Sequence, residues 1–121
     1  MKKVILLDSA STISLMCNED MVDNLRPANQ TIKLDTNGGT RKLTLKVDMA
    51  GLGEVNFDHE AIANIFGLSD LKKKYRITYD SEKDDIFHVH VSDGNTIKFR
   101  CNNRGLYTNK PTDEFLKKGD C

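Results

Sequence analysis

Two stretches of polar–apolar alternation flank an Asn-Gly-Gly tip, and this pattern restricts the fold more than any other feature of the chain. Thr31 to Thr36 and Thr40 to Val47 repeat with a period of two, as strands with one buried face do. Asn37-Gly38-Gly39 between them is a tight-turn signal. With Gly38-Gly39 as the loop, Leu34 faces Leu43 and Ile32 faces Leu45, so one face of the hairpin is apolar throughout. The expected class is therefore mostly β.

The rest of the chain extends that reading. Lys3 to Asp8 is a short, nearly all-apolar run, suited to a strand buried on both faces. Asn18 to Leu25 reads as a helical turn or two ended by Arg26-Pro27, because the residue before proline avoids the helical region. Glu54 to Asp58 reads as a strand, with Asp58 capping a short helix over His59 to Asn64. Ser69 and Asp70 are candidate caps for a second helical turn through Lys72-Lys73-Lys74. A meander then follows over Tyr75–Asp80, Ile86–Ser92, Thr96–Cys101 and Gly105-Leu106-Tyr107. Residues 1–108 read as one domain and 109–121, charged and with a marginal helix over Asp113–Lys118, as a flexible tail.

Composition excludes several functions. Lys plus Arg is 18 and Asp plus Glu is 18, so no global positive field exists to hold nucleic acid. The aliphatic run Val4-Ile5-Leu6-Leu7 is far short of the roughly 20 residues a membrane helix needs, and the start lacks a signal-peptide pattern. No phosphate-loop motif occurs, and no cofactor is implied. Cys17, Cys101 and Cys121 suit a reducing compartment, and a cytoplasmic setting is expected. Met16, Met21 and Met49 read as core fillers, and Lys72-Lys73-Lys74 as a solvated helix face.

His88, His90 and Cys101 are zinc-ligand types, and the hairpin register decides whether they meet. A loop of Asp93-Gly94 would place all of them on one face. A loop of Asp93-Gly94-Asn95, with Asn95 left-handed, instead sets Phe87, Val89 and Val91 against Cys101, Phe99 and Ile97. His88 and His90 then meet Arg100 and Lys98. That register separates apolar from polar, so no metal site is expected: the histidines lie at the surface beside cations and Cys101 in the core.

The chemistry-bearing residues stand at the start. Asp8-Ser9-Ala10-Ser11-Thr12 follows the apolar run directly and places a carboxylate where a buried strand opens into a polar turn. On residue type alone, Asp8 also suits a simple turn cap.

The order of these elements resembles the retropepsin layout, and more narrowly the protease and pre-integrase region of copia-type retrotransposon polyproteins. The resemblance rests on Leu7-Asp8-Ser9-Ala10-Ser11-Thr12, Leu25-Arg26-Pro27, Asn37-Gly38-Gly39, Ile62 to Ser69, Tyr75 to Ser81 and Gly105-Leu106-Tyr107, in that order. It places protease-like motifs in 4–71 and makes the meander of 75–107 an addition. The resemblance implies a small β domain in which the strand Asn64-Ile65-Phe66-Gly67 packs beside the one carrying Asp8. It further implies an aspartic endopeptidase acting as a homodimer on a polypeptide, within the cell or in virus-like particles.

By the same resemblance Asp8 is the catalytic residue and Ser9 supports it across the interface. Ala10, Ser11 and Thr12, with Asn37, Gly38 and Gly39 of a closing flap, would contact substrate. The chain departs from the family in three places: Ala10 stands for a glycine, Thr12 and Leu68 stand where retroviral members pair an aspartate with an arginine, and only seven residues precede Asp8. Alanine at position 10 fits if its φ is negative. The alternative is a non-catalytic β module or inactive remnant of such a polyprotein; a nucleic-acid accessory role is a weaker third.

Overall fold

A computed structural model describes residues 3–36, 39–91 and 94–110. The protein is mostly β: ten strands form a single mixed sheet. They are β1 (Ile5–Asp8), β2 (Leu15–Met16), β3 (Asp23–Thr36), β4 (Gly39–Met49), β5 (Gly53–Phe57), β6 (Asn64–Gly67), β7 (Arg76–Thr78), β8 (Ile86–His90), β9 (Thr96–Cys101) and β10 (Tyr107–Asn109). Their order across the sheet is β3-β4-β5-β2-β6-β1-β10-β9-β8-β7. Among the described residues the helical elements are α1 (Leu68–Lys74) and a 3-10 turn over Glu19–Met21.

The centre of the sheet is where sequence-distant segments meet. β6 lies between β1 and β2, parallel to β1 and antiparallel to β2. Its register sets Ile5 beside Asn64 and Asp8 beside Gly67. β10 takes the other edge of β1, antiparallel, with Ile5 opposite Asn109. The core lies along this junction: Ile5, Met16, Val47, Phe57, Phe66, Val89, Ile97 and Phe99 are almost fully buried. Burial of each aromatic contributes about 1.5–3 kcal/mol, and Phe66 meets Phe99 edge-on at 6.1 Å, joining the two halves of the sheet. Met16, Met21 and Met49 are all buried, as their reading as core fillers required.

The β3–β4 hairpin forms in a register different from the expected one. Ile32 faces Leu43 and Leu34 faces Arg41, so Thr36 and Gly39 bracket residues 37 and 38, not 38 and 39. The slip is even, so every side chain keeps its face and the apolar pattern survives. Asn18 does cap a turn, accepting from the Asp20 amide at 3.0 Å, but the expected helix to Leu25 does not form. The chain is extended from Asp23 onward, and Asn24 takes a left-handed φ of 58° at an irregularity of the ladder. Pro27 does not end a helix: it sits in β3, an edge strand, beside an irregularity of the ladder, where proline is tolerated.

Two helix expectations are also corrected. Asp58 caps a turn only, its carboxylate accepting from the Glu60 amide at 2.9 Å, and β6 begins at Asn64. In α1 the cap is Gly67, which offers no side chain, and Ser69 and Asp70 lie inside the first turn. Asp70 near the N-terminus and Lys72, Lys73 and Lys74 near the C-terminus match the helix dipole, while Leu71 is buried.

In the meander, Phe87 pairs with Phe99, Val89 with Ile97, and His88 with Lys98. This register is again displaced by an even number from the expected one, so the apolar and polar faces separate as anticipated. The left-handed residue is Gly94 (φ 75°), not Asn95. Cys101 is exposed, not in the core, because Phe87 is matched by Phe99 and Cys101 falls beyond it at the strand end. The last strand begins at Tyr107 instead of Gly105, and Asn109, assigned to the tail, is its final residue and 1% exposed. Its amide donates to the Lys98 carbonyl at 3.0 Å. The expected tail helix over 113–118 lies outside the described residues.

Candidate functional site

Asp8 is the last residue of β1, and its partner in β6 is Gly67. Past Asp8 the chain turns sharply. The Asp8 carboxylate accepts from the Ala10 amide at 2.9 Å, and its carbonyl accepts from the Ser11 amide at 3.3 Å. Ser11 Oγ donates to the Ile13 carbonyl at 2.8 Å. Among described non-glycine residues, only Asn24 and Asp85 have positive φ, so Ala10 stands at an ordinary backbone angle that its methyl tolerates. The carboxylate is half-buried, while Ser9, Ala10 and Thr12 are exposed.

Gly67 is what allows this turn to lie where it does. A Cβ there would stand 2.6 Å from the Ile13 carbonyl oxygen and 2.7 Å from that of Ser11. The Asp8 turn therefore folds directly over a backbone without a side chain. The Gly67 amide donates to Ser14 Oγ at 3.2 Å, and the Ser14 hydroxyl donates to Asp70 at 2.8 Å. This chain of bonds fixes the exit of the turn to α1.

Asn64 does the same at the other end of β6. Fully buried, it donates to the Val4 carbonyl at 3.1 Å and accepts from the amides of Cys17 (2.8 Å) and Asn18 (3.3 Å). One side chain thus satisfies backbone groups on both sides of the Asp8 turn, where an apolar residue would leave them unpaired. Asn56 adds a further tie, donating to the Ser14 carbonyl at 3.1 Å. Ser9 borders a shallow cavity of about 390 Å³ shared with Leu68, Ser69, Lys72 and Lys73.

Of the residues singled out in the sequence, Asp8, Ser9, Ala10, Ser11 and Thr12 form this one turn. Gly39 begins β4 with φ 115°, and β5, β2 and β6 separate its strand from β1 in the sheet. Asn37 and Gly38 lie outside the described residues. Ser14, Asn56 and Asp70 were not singled out as supports; the available signal was a serine and an asparagine inside otherwise apolar strand segments.

The meander holds a second polar constellation. His88 and His90 are partly buried beside Lys98 and Arg76, and each also has its own partner: Asp84 at 2.9 Å and Thr78 Oγ1 at 2.8 Å. Asp85, left-handed at φ 52°, accepts from the hydroxyls of Tyr79 and Tyr107. Those bonds hold its carboxyl below the usual carboxylate range and push the Tyr107 phenol up. Among the described residues no group of three or more His, Cys, Asp or Glu side chains could hold a metal ion, and no helix is long and apolar enough to cross a membrane. No protein-family model matches the chain, and no curated protein matches it.

Proposed function

We propose that this chain is a retropepsin-like aspartic endopeptidase of a copia-type polyprotein, acting as a homodimer on a polypeptide. The observation that carries the reading is the Asp8–Gly67 pairing: the β1 carboxylate emerges into a tight turn that packs on the glycine of a parallel Asn-Ile-Phe-Gly strand. The motif order in the sequence is the second support.

One chain supplies one such aspartate, so the active assembly brings two copies together about a two-fold axis. Two Asp8 carboxyls about 3 Å apart cannot both ionise and share one proton. The ionised member takes a proton from water as the water attacks the peptide carbonyl, and the protonated member polarises the carbonyl oxygen. Ala10 N–H contributes by fixing the orientation of the carboxylate within each chain. The dyad titrates as a pair.

The test is Asp8→Asn in a cleavage assay at protein concentrations that favour the dimer. Asparagine keeps an oxygen to accept from the Ala10 amide, so the fold survives, while activity falls by about two orders of magnitude or more. Unchanged cleavage by the variant, or a strictly monomeric chain by sedimentation equilibrium near pH 5 and near pH 7, would sink the proposal. A non-catalytic β module would show no cleavage and no binding of a statine peptide to the unaltered protein.

A further inference from the structure

A concave site of about 380 Å³ opens on the meander, away from Asp8, lined by Arg76, Thr78, Tyr79, Asp80, Lys83, Asp84, His88 and His90. The hydrogen bonds within it sort these groups into committed and uncommitted ones. Asp84 is used twice: Oδ2 pairs with His88 Nε2 at 2.9 Å, and Oδ1 accepts from the Ile86 amide at 3.3 Å. Asp80 organises the turn, its side chain accepting from the Glu82 amide at 3.0 Å and its carbonyl from the amides of Lys83, Asp84 and Asp85. Arg76 and Lys83 differ. Unlike Arg26 and Arg41, which each contact two carboxylates, they have no carboxylate partner among the described residues.

We propose that this cleft binds a tetrahedral oxyanion of the phosphate class, held by Arg76, Lys83 and His90, and that protonation of His90 admits it. The donor set suits such a ligand: a planar guanidinium, an ammonium and an imidazole, with the Thr78 hydroxyl beside them. A cation is disfavoured because both carboxylates are already engaged.

The charges explain the gating. With His90 neutral, the charges of Arg76 and Lys83 are balanced by those of Asp80 and Asp84. Protonation of His90 turns the cleft positive, and Lys98, opposite His88 on β9, adds to that field. Thr96 faces His90 from β9 and Arg76 faces it from β7. Burial first, then the charges of Arg76 and His88, depress the His90 pKa below the ordinary histidine value. A bound dianion offsets the two cationic contributions and draws a proton onto His90, so affinity rises as pH falls.

Sulfate is the first probe, because it does not itself titrate in this range. The histidine ring resonances of the full chain are followed by NMR as sulfate is added at constant ionic strength, near pH 6 and near pH 8. Saturable shifts of His88 and His90 are expected, with affinity rising by up to about tenfold per pH unit as pH is lowered and one proton is taken up. Arg76→Gln, an exposed position whose replacement leaves the fold intact, removes the saturation. Inorganic phosphate and a short single-stranded RNA, compared at equal phosphate concentration, then separate a small-ion site from a polymer-backbone site. Shifts that never saturate, that persist in R76Q, or that are equal at both pH values overturn the proposal.

Discussion

Residues 76–109 are built from sequence-adjacent antiparallel pairings, β7 to β8 to β9 to β10, each strand lying beside the next along the chain. The region around Asp8 is built the opposite way. β1 and β2 are consecutive in sequence but are not neighbours, because β6 arrives from about fifty residues later and separates them. The meander is held by an aromatic and aliphatic face: Phe87, Val89, Ile97 and Phe99. The Asp8 region, besides its buried Ile5, Met16 and Phe66, depends on groups that side-chain hydrophobicity does not describe, namely Asn64, Ser14 and a glycine whose value lies in having no side chain. Local alternation suffices for the first kind of structure; a crossing point in the second needs particular residues, since backbone groups from several segments converge there and each must be paired.

The largest expected effect probes the seam between these regions. Phe99→Ala removes a fully buried ring that touches Phe66, and should lower stability by about 3–5 kcal/mol in urea unfolding followed by circular dichroism. If the regions form one cooperative unit, amide exchange in β1 and β6 accelerates together with that in β8 and β9. Acceleration confined to the meander would show that the halves open separately.

A pair of glycine substitutions sharpens the contrast. Gly67→Ala forces a methyl against two backbone carbonyls and should cost about 2–3 kcal/mol, since neither oxygen belongs to a flexible side chain. Gly94→Ala meets no atom within 4 Å and carries only the strain of its positive φ, about 1 kcal/mol. Equal losses in the two variants would refute the claim that close approach, not backbone angle, is what position 67 demands.

The smallest effect is a pH response confined to the meander. Asp85 has its carboxyl lowered by the Tyr107 and Tyr79 hydroxyls, so the folded state binds its proton more weakly than the unfolded chain does. Its contribution is therefore present above the usual aspartate pKa and fades as pH falls through the folded value. Tyr107 runs the other way: raised chiefly by its bond to Asp85, it favours the folded state below the usual tyrosine pKa and loses that contribution at high alkalinity. In Asp85→Asn, an ultraviolet titration should show phenolate forming at lower pH. An unchanged tyrosine titration would remove the carboxylate as the cause.

How far the sequence could be read follows the same division. Alternation and glycine punctuation identified both hairpins and the faces of their strands. The hairpin registers came out displaced by two with the loop lengths kept, since period-two burial fixes which face a residue joins but is indifferent to a slip of two. The helical reading of Asn18–Leu25 held for one 3-10 turn, Glu19–Met21, and not beyond it, because Pro27 is equally at home on a sheet edge, a fact local pattern cannot supply. The run from Asp8 to Thr12 was legible as a polar turn after a buried strand. Its supports, Ser14, Asn56 and Asp70, were not, because a polar residue in a strand looks the same whether it faces water or a buried carbonyl.

The amino-acid sequence by itself determined a mostly β chain with an acidic turn at the end of its first strand, because side-chain periodicity and turn chemistry act over a few residues. Only the tertiary structure decided that β6 would lie between β1 and β2, that Gly67 would lie under the Asp8 turn, and that Arg76 would face His90 with no carboxylate partner among the described residues. Those are results of long-range pairing, where register is set by which buried polar groups find partners and which backbones can approach without a side chain between them.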